Sequence, residues 1–341
     1  MQDYVFHIGP PKTGTTYLQR GFTRLADQLG AQGILYPRDL GSPGHIKLAR
    51  QLAQPDAEAT LAPVFASMAQ SGARVVLISA EDLSPLRHPA IQTLRTLTGD
   101  SSATVIYYCR RWSDIVRSRW GERVKHGSRD TLQEQCTKAL ETPFQTGAIN
   151  YGRTLRRWNA HFGRAALRLV ALETLAETNT EIGAHFLSNF LGLEMEFPLP
   201  DGPQNQSMPL VETEILRALN AIDWQLHQQG SSAIRQAFVR HRDTLDLTRT
   251  EAAIETDLTE VIFDETAPRM IKLQKSLFAE YSANVVAPHK PDLFFTPRRA
   301  VLQAASGAFT QASGVGAELQ AAYDQLRAFS QRGEALKARS G

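Results

Sequence analysis

Residues 4–29 read YVFHI, then GPPKTGTT, then YLQRGFTRLADQL. Tyr4 to Ile8 is short, apolar and rich in β-formers, the pattern of a strand covered on both faces. Gly9, Pro10 and Pro11 stop it. Thr15 or Thr16 is placed to cap a helix on which Leu18, Phe22, Leu25 and Leu29 share one face, and Gly30 ends that helix. The N–H groups of its first turn have no intrahelical partner and lie at the positive end of the dipole, where an anion is stabilised. Lys12 adds a full charge, Gly14 lets backbone come close, and the threonine hydroxyls can donate. The stretch therefore predicts a strand, a phosphate-cradling loop and an amphipathic helix.

Working outward, two more apolar strands precede loops that carry charge. Residues 73–79 (ARVVLIS) run into Glu81-Asp82, and residues 104–109 (TVIYYC) run into Arg110-Arg111. Strands alternating with helices at such intervals predict an α/β fold with a central parallel sheet, whose chemistry collects at the carboxyl ends of the strands. After the third strand, Trp112, Ile115, Val116 and Trp120 share a helix face. From Arg110 to Arg129 there are seven Lys or Arg against two acids, Asp114 and Glu122. The simplest reading of that excess is a solvated basic face. His45 stands just before a helical run, either as a helix-start residue without a chemical task or as a candidate base.

Composition sets bounds on function. With 341 residues, 42% hydrophobic and 21% charged, the chain has the make-up of a globular protein able to bury a large core. A net charge of +2 gives no reason to expect nucleic acid as a partner, so any anion site must come from local clustering. Cys109 and Cys136 offer neither a disulfide framework nor metal spacing. No apolar run is long enough for a transmembrane segment, and no basic-then-apolar leader opens the chain, so a cytoplasmic location is expected.

The loop is not the nucleotide-triphosphatase pattern, in which lysine follows the last glycine. Here the order is Pro11-Lys12-Thr13-Gly14-Thr15-Thr16. It resembles the 5′-phosphosulfate loop of sulfotransferases that use 3′-phosphoadenosine 5′-phosphosulfate (PAPS). The second motif, Tyr107-x-x-Arg110-x-x-x-Asp114-x-x-x-Ser118, resembles the same family's 3′-phosphate motif, in which the arginine and the serine bind the ribose 3′-phosphate. Tyr151, Trp158, Phe162-Gly163, a strand at 167–172, Glu173 and Leu191-Gly192-Leu193 extend the likeness to about residue 195. It departs at Leu172, where cytosolic relatives carry an aromatic against adenine, and in lacking their Arg-Lys-Gly motif.

The resemblance implies a three-layer P-loop-like fold of bacterial carbohydrate or small-molecule type, with PAPS as co-substrate and no metal requirement. Pro11, Lys12, Thr13, Gly14, Thr15 and Thr16 would hold the 5′ end, and Arg110 and Ser118 the 3′-phosphate. The acceptor would be a small molecule or glycan. Cytosolic relatives place a histidine base just after the second strand; Glu81 stands there here, with Asp82 and His45 in reserve. A P-loop kinase using ATP and Mg²⁺, and a non-catalytic nucleotide-binding module, are the alternatives.

The organisation expected is a core over 1–200, a helical extension over 201–286 on the acceptor side, and a Pro-containing linker with a terminal helix over 287–341. The loop at 198–209, with Asn205 and Ser207, is a candidate lining of the acceptor pocket or a plain linker. Leu319, Tyr323, Leu326 and Phe329 form an apolar stripe that docks on its own domain or supports a homo-oligomer.

Overall fold

Strand β1 (Asp3–His7) runs up the middle of a five-stranded sheet. The computed structural model describes residues 2–198, 208–227, 232–286 and 295–339. The other strands of this sheet are β2 (Ile34–Leu35), β3 (Val75–Ser79), β4 (Ala103–Cys109) and β5 (Leu167–Ala171). Their order is β2-β3-β1-β4-β5, and every pairing is parallel. The chain leaves β1 towards β2 and β3 on one side, then crosses to β4 and β5 on the other. The β1–β4 boundary is therefore the topological switch point, where the loops after two neighbouring strands diverge and leave a crevice.

Alternation along β1 explains the layers. Val5 and His7 face helix α1 (Thr15–Ala31), whose Leu18, Phe22, Leu25 and Leu29 are all buried on the sheet. Tyr4 and Phe6 face the other way, towards Phe65 of α3 (Ala57–Gln70) and Trp158 and Phe162 of α7 (Tyr151–Phe162). Helices on both faces make this an α/β fold of three layers. Between α1 and α3 in sequence lies α2 (Ile46–Leu52); α4 (His88–Thr98) follows β3.

The chain divides into two units. The first comprises residues 1–111, 150–205 and 271–297; the second comprises 112–149, 206–270 and 298–341. Helices α5 (Trp112–Lys125) and α6 (Leu132–Glu141) belong to the second unit. There they pack with α10 (Leu210–His227) and with strand β6 (Leu258–Asp264). Between β5 and α10 come the short helices α8 (Leu172–Glu177) and α9 (Ile182–Phe186) of the first unit.

β6 pairs antiparallel with β7 (Arg299–Ala305), a hairpin absent from the expected linker and helices. Its pairing spans a long stretch of chain, and the partner strand β7 is alanine-rich, so β7 carries little strand signal of its own. α11 (Ser232–His241), α12 (Thr248–Asp257), α13 (Pro268–Tyr281) and α14 (Val315–Arg339) complete the helices. Leu319, Tyr323 and Leu326 are buried inside the second unit, and the Tyr323 hydroxyl donates to Asp223 at 2.7 Å. Phe329 stacks on His241. The stripe is spent within its own unit, so it supplies no argument for a homo-oligomer. Asn205, Ser207 and residues 287–294 lie outside the described residues.

Phe22 is fully buried and meets Tyr36, Phe186 and Phe197. Phe22→Ala leaves a cavity where α1 joins the sheet. It is expected to lower the unfolding free energy by about 3–5 kcal/mol, measured by urea denaturation.

Candidate functional site

The loop after β1 is fixed by its own residues. The Thr13 hydroxyl, fully buried, donates to the Pro10 carbonyl at 2.6 Å and folds the loop on itself. Lys12 (φ 72°) and Gly14 (φ 79°) are left-handed. That conformation is natural for Gly14 but costs about 1 kcal/mol or more at Lys12, so the fold holds the lysine backbone in place at the expense of strain. Gly9 is also left-handed (φ 91°), and a β-carbon on it would stand 3.1 Å from the Glu81 Cα; the loop passes too close to the end of β3 for a side chain.

α1 begins at Thr15 with Gly14 as its N-cap, and no side chain caps it. This corrects the expectation that Thr15 or Thr16 would do so. The Thr15 hydroxyl instead donates to Oε2 of Glu81, and Thr16 is half-buried in the first turn. The first i→i−4 bond of the helix is Leu18 N–H to Gly14 carbonyl. The N–H groups of Thr15 to Tyr17 therefore have no intrahelical acceptor and form an anion-favouring helix start.

Arg110, directly after β4, donates from Nη1 to the Lys12 carbonyl at 2.7 Å. The structure thereby brings Lys12 of the first motif and Arg110 of the second, 98 residues apart, into contact at the switch-point crevice. The Tyr151 hydroxyl donates to the Arg110 carbonyl at 2.6 Å, and Glu173 accepts the Arg111 N–H. Tyr151 and Glu173 were legible only as fold positions; their contacts show that they hold the end of β4. The Arg111 side chain reaches the Thr296 carbonyl at 2.6 Å and covers the Phe295 ring.

Ser118 lies two turns into α5, in the second unit. Asp114, on the same helix, pairs with Arg298 at 3.5 Å. Arg298 also binds Glu265 through its N–H, and Glu265 accepts from both the N–H and the hydroxyl of Ser113. A Pro-rich stretch gave no sign that Arg298 would anchor against the first turn of α5.

His45 is placed differently from the expectation for a base. It is fully buried; its Nδ1 accepts the Ser79 N–H at 2.9 Å and its own N–H donates to the Ser79 carbonyl at 2.9 Å. With Nδ1 accepting, the neutral ring carries its proton on Nε2. Burial pushes its pKa down to about 4, countered in part by the Pro37 carbonyl. It has no exposure through which to meet an acceptor. His7, which the sequence did not single out, is its counterpart: fully buried, Nδ1 at 2.8 Å from the Ser79 hydroxyl, with burial lowering its pKa to about 3.

Glu81 opens a 3₁₀ turn, Glu81–Leu83, and is half-buried beside the loop. Asp82 turns outward, where it lines a surface cavity of about 770 Å³ with Arg50, Leu86, Arg87 and Pro89, between α2 and α4. Among the described residues no three His, Cys, Asp or Glu gather as a metal site, and no described helix is long and apolar enough to cross a membrane. Lys12, the first turn of α1 and Arg110 form the set able to hold a phosphorylated ligand.

No family model and no curated protein sequence matches the chain. Among solved structures the chain is similar to one described as the crystal structure of a sulfotransferase from Alicyclobacillus acidocaldarius. Identity is 18%, the match covers 68% of this chain and 98% of that one, and the TM-score is 0.39.

The two buried histidines predict a pH dependence. Both have folded pKa values far below the ordinary 6.5, so only the unfolded chain takes up their protons between about pH 6.5 and 4. Their stabilising contribution is complete above pH 6.5 and falls as pH drops, by about 1.4 kcal/mol per pH unit for each histidine. Urea unfolding at stepped pH should show this slope, and His7→Gln should remove about half of it.

Proposed function

We propose that this protein is a PAPS-dependent sulfotransferase acting on a hydroxyl, or an amine, of a carbohydrate or small molecule. The observation that carries the reading is the hydrogen bond from Arg110 to the Lys12 carbonyl, which puts a phosphosulfate-type loop and a 3′-phosphate-type arginine at one crevice. Either motif alone is a sequence resemblance. Their meeting at the switch point of a parallel sheet is the place where a nucleotide is expected.

In this reading the N–H groups of the first turn of α1 hold the 5′-phosphate, with Pro11, Thr13 and Gly14 shaping the loop. Arg110 takes the 3′-phosphate, since a planar guanidinium fork suits paired bonds to phosphate oxygens. Ser118 enters on its motif spacing alone. The acceptor oxygen gives its proton to Glu81 and attacks sulfur as the sulfur–oxygen bond to the 5′-phosphate breaks. The electron pair stays on that phosphate oxygen, where the Lys12 ammonium offsets the new charge. Such loose in-line transfer depends on positioning and charge stabilisation more than on covalent help.

Glu81 is the proposed base because its carboxylate stands at the loop, held by Thr15. Asp82, which follows on the same turn, is the reserve. His45 is no longer a candidate, for the burial described above.

Three variants test this. Lys12→Ala should abolish transfer, a larger effect on turnover than on adenosine 3′,5′-bisphosphate affinity. Arg110→Ala should weaken that affinity by about 30-fold or more, the worth of a charge-assisted pair. Glu81→Gln can still accept from Thr15, so it should keep nucleotide affinity and lose about 100-fold or more in turnover. Calorimetry and a sulfuryl-transfer assay with PAPS and EDTA are the measurements. Transfer from ATP with Mg²⁺ would favour a kinase, and PAPS binding without transfer to any acceptor pool would favour a binding module.

A further inference from the structure

The basic excess that follows Arg110 is not all solvated surface. On α5, Val116, Arg119 and Arg123 are spaced by three and four residues and so share one face. That face, with Gln135, Lys138 and Thr142, lines a cavity of about 430 Å³ inside the second unit. Among the described residues three cations line it and no carboxylate does.

The acids nearby are committed elsewhere. Glu134 closes the capping box at Thr131. Glu122 pairs with Lys125. Asp130 accepts the Gln135 amide at 2.6 Å, and Gln135 in turn accepts from Arg123 at 2.5 Å, which fixes that guanidinium at the cavity wall. The Arg119 Nε is buried with no hydrogen-bond partner among the described residues. The cavity itself is lined by the charged residues Arg119, Arg123 and Lys138, which favour an oxyanion there. The Thr142 and Thr146 hydroxyls donate to the carbonyls of Lys138 and Thr142, so the cavity's donors are its cations and amides.

We propose that this cavity binds a small molecule bearing a sulfate or phosphate monoester. Two guanidinium groups and an ammonium suit a tetrahedral oxyanion, Val116 and Ala139 give its organic body an apolar wall, and the volume fits a small ligand. Ser118 is two residues from Val116 and one from Arg119, and the helical period turns it to a different face of α5.

The test is calorimetry on the full chain with glucose 6-sulfate, glucose 6-phosphate, inorganic sulfate, inorganic phosphate and glucose, each repeated with saturating adenosine 3′,5′-bisphosphate. The esters are expected to bind in the presence of the nucleotide and more weakly as salt rises, while glucose does not bind. Comparing the two esters with the two free anions shows whether the organic body contributes and which oxyanion is preferred. Arg119→Gln and Lys138→Gln should each weaken ester binding by about tenfold, with nucleotide affinity unchanged. Should a variant fold poorly, ester-dependent hydrogen-exchange protection of residues 116–123 and 135–146 in the wild type provides the second readout. No ester binding up to about 10 mM, equal binding of glucose, competition by the nucleotide, or binding indifferent to both substitutions would each overturn the proposal.

Discussion

The Arg110 guanidinium on the Lys12 carbonyl is the contact on which the candidate site depends. It joins the loop after β1 to the end of β4, the two neighbouring strands whose connections diverge. A hydrogen bond from a charged donor is among the stronger ones in a protein, and this one acts on a backbone held left-handed at a non-glycine residue. Around it, Thr13 closes the loop on Pro10, Tyr151 holds the Arg110 carbonyl, and Glu173 holds the next N–H. The lysine is therefore positioned by partners drawn from several strand ends rather than by its own flexible stem.

Burial controls the opposite side of the site. Ser79, at the end of β3, is bound by His7 through its hydroxyl and by His45 through its N–H and carbonyl. Both rings are kept neutral by desolvation, so they tie β1 and the start of α2 to β3 without bringing charge into the core. That leaves Glu81 and Asp82 as the ionisable groups beyond the strand. One is turned to the loop and the other to a surface cavity. Division of labour between adjacent carboxylates follows from the 3₁₀ turn that carries them.

Much of the second unit is organised by pairings that the sequence did not show. Asp114 finds Arg298, Tyr323 finds Asp223, and the basic face of α5 folds over a cavity. The apolar stripe of α14 is consumed within the unit.

The sequence by itself determined the strand–loop–helix start, the parallel sheet and the two basic junctions. Each is written in local signals: apolar runs, punctuating glycine and proline, and charge placed just beyond a strand. It also held Lys12, Arg110 and Glu81 as candidates. Only the tertiary structure decided that Arg110 reaches Lys12, that Thr15 serves Glu81 instead of capping α1, that His45 is interior, and that residues 112–149 belong with the C-terminal half. Those outcomes turn on which distant segment packs against which, and a hydrogen bond between residues 98 positions apart leaves no trace in the spacing of either one. The β6–β7 hairpin was hidden for the same reason, since the alanine-rich β7 is a strand only through its pairing with a distant segment.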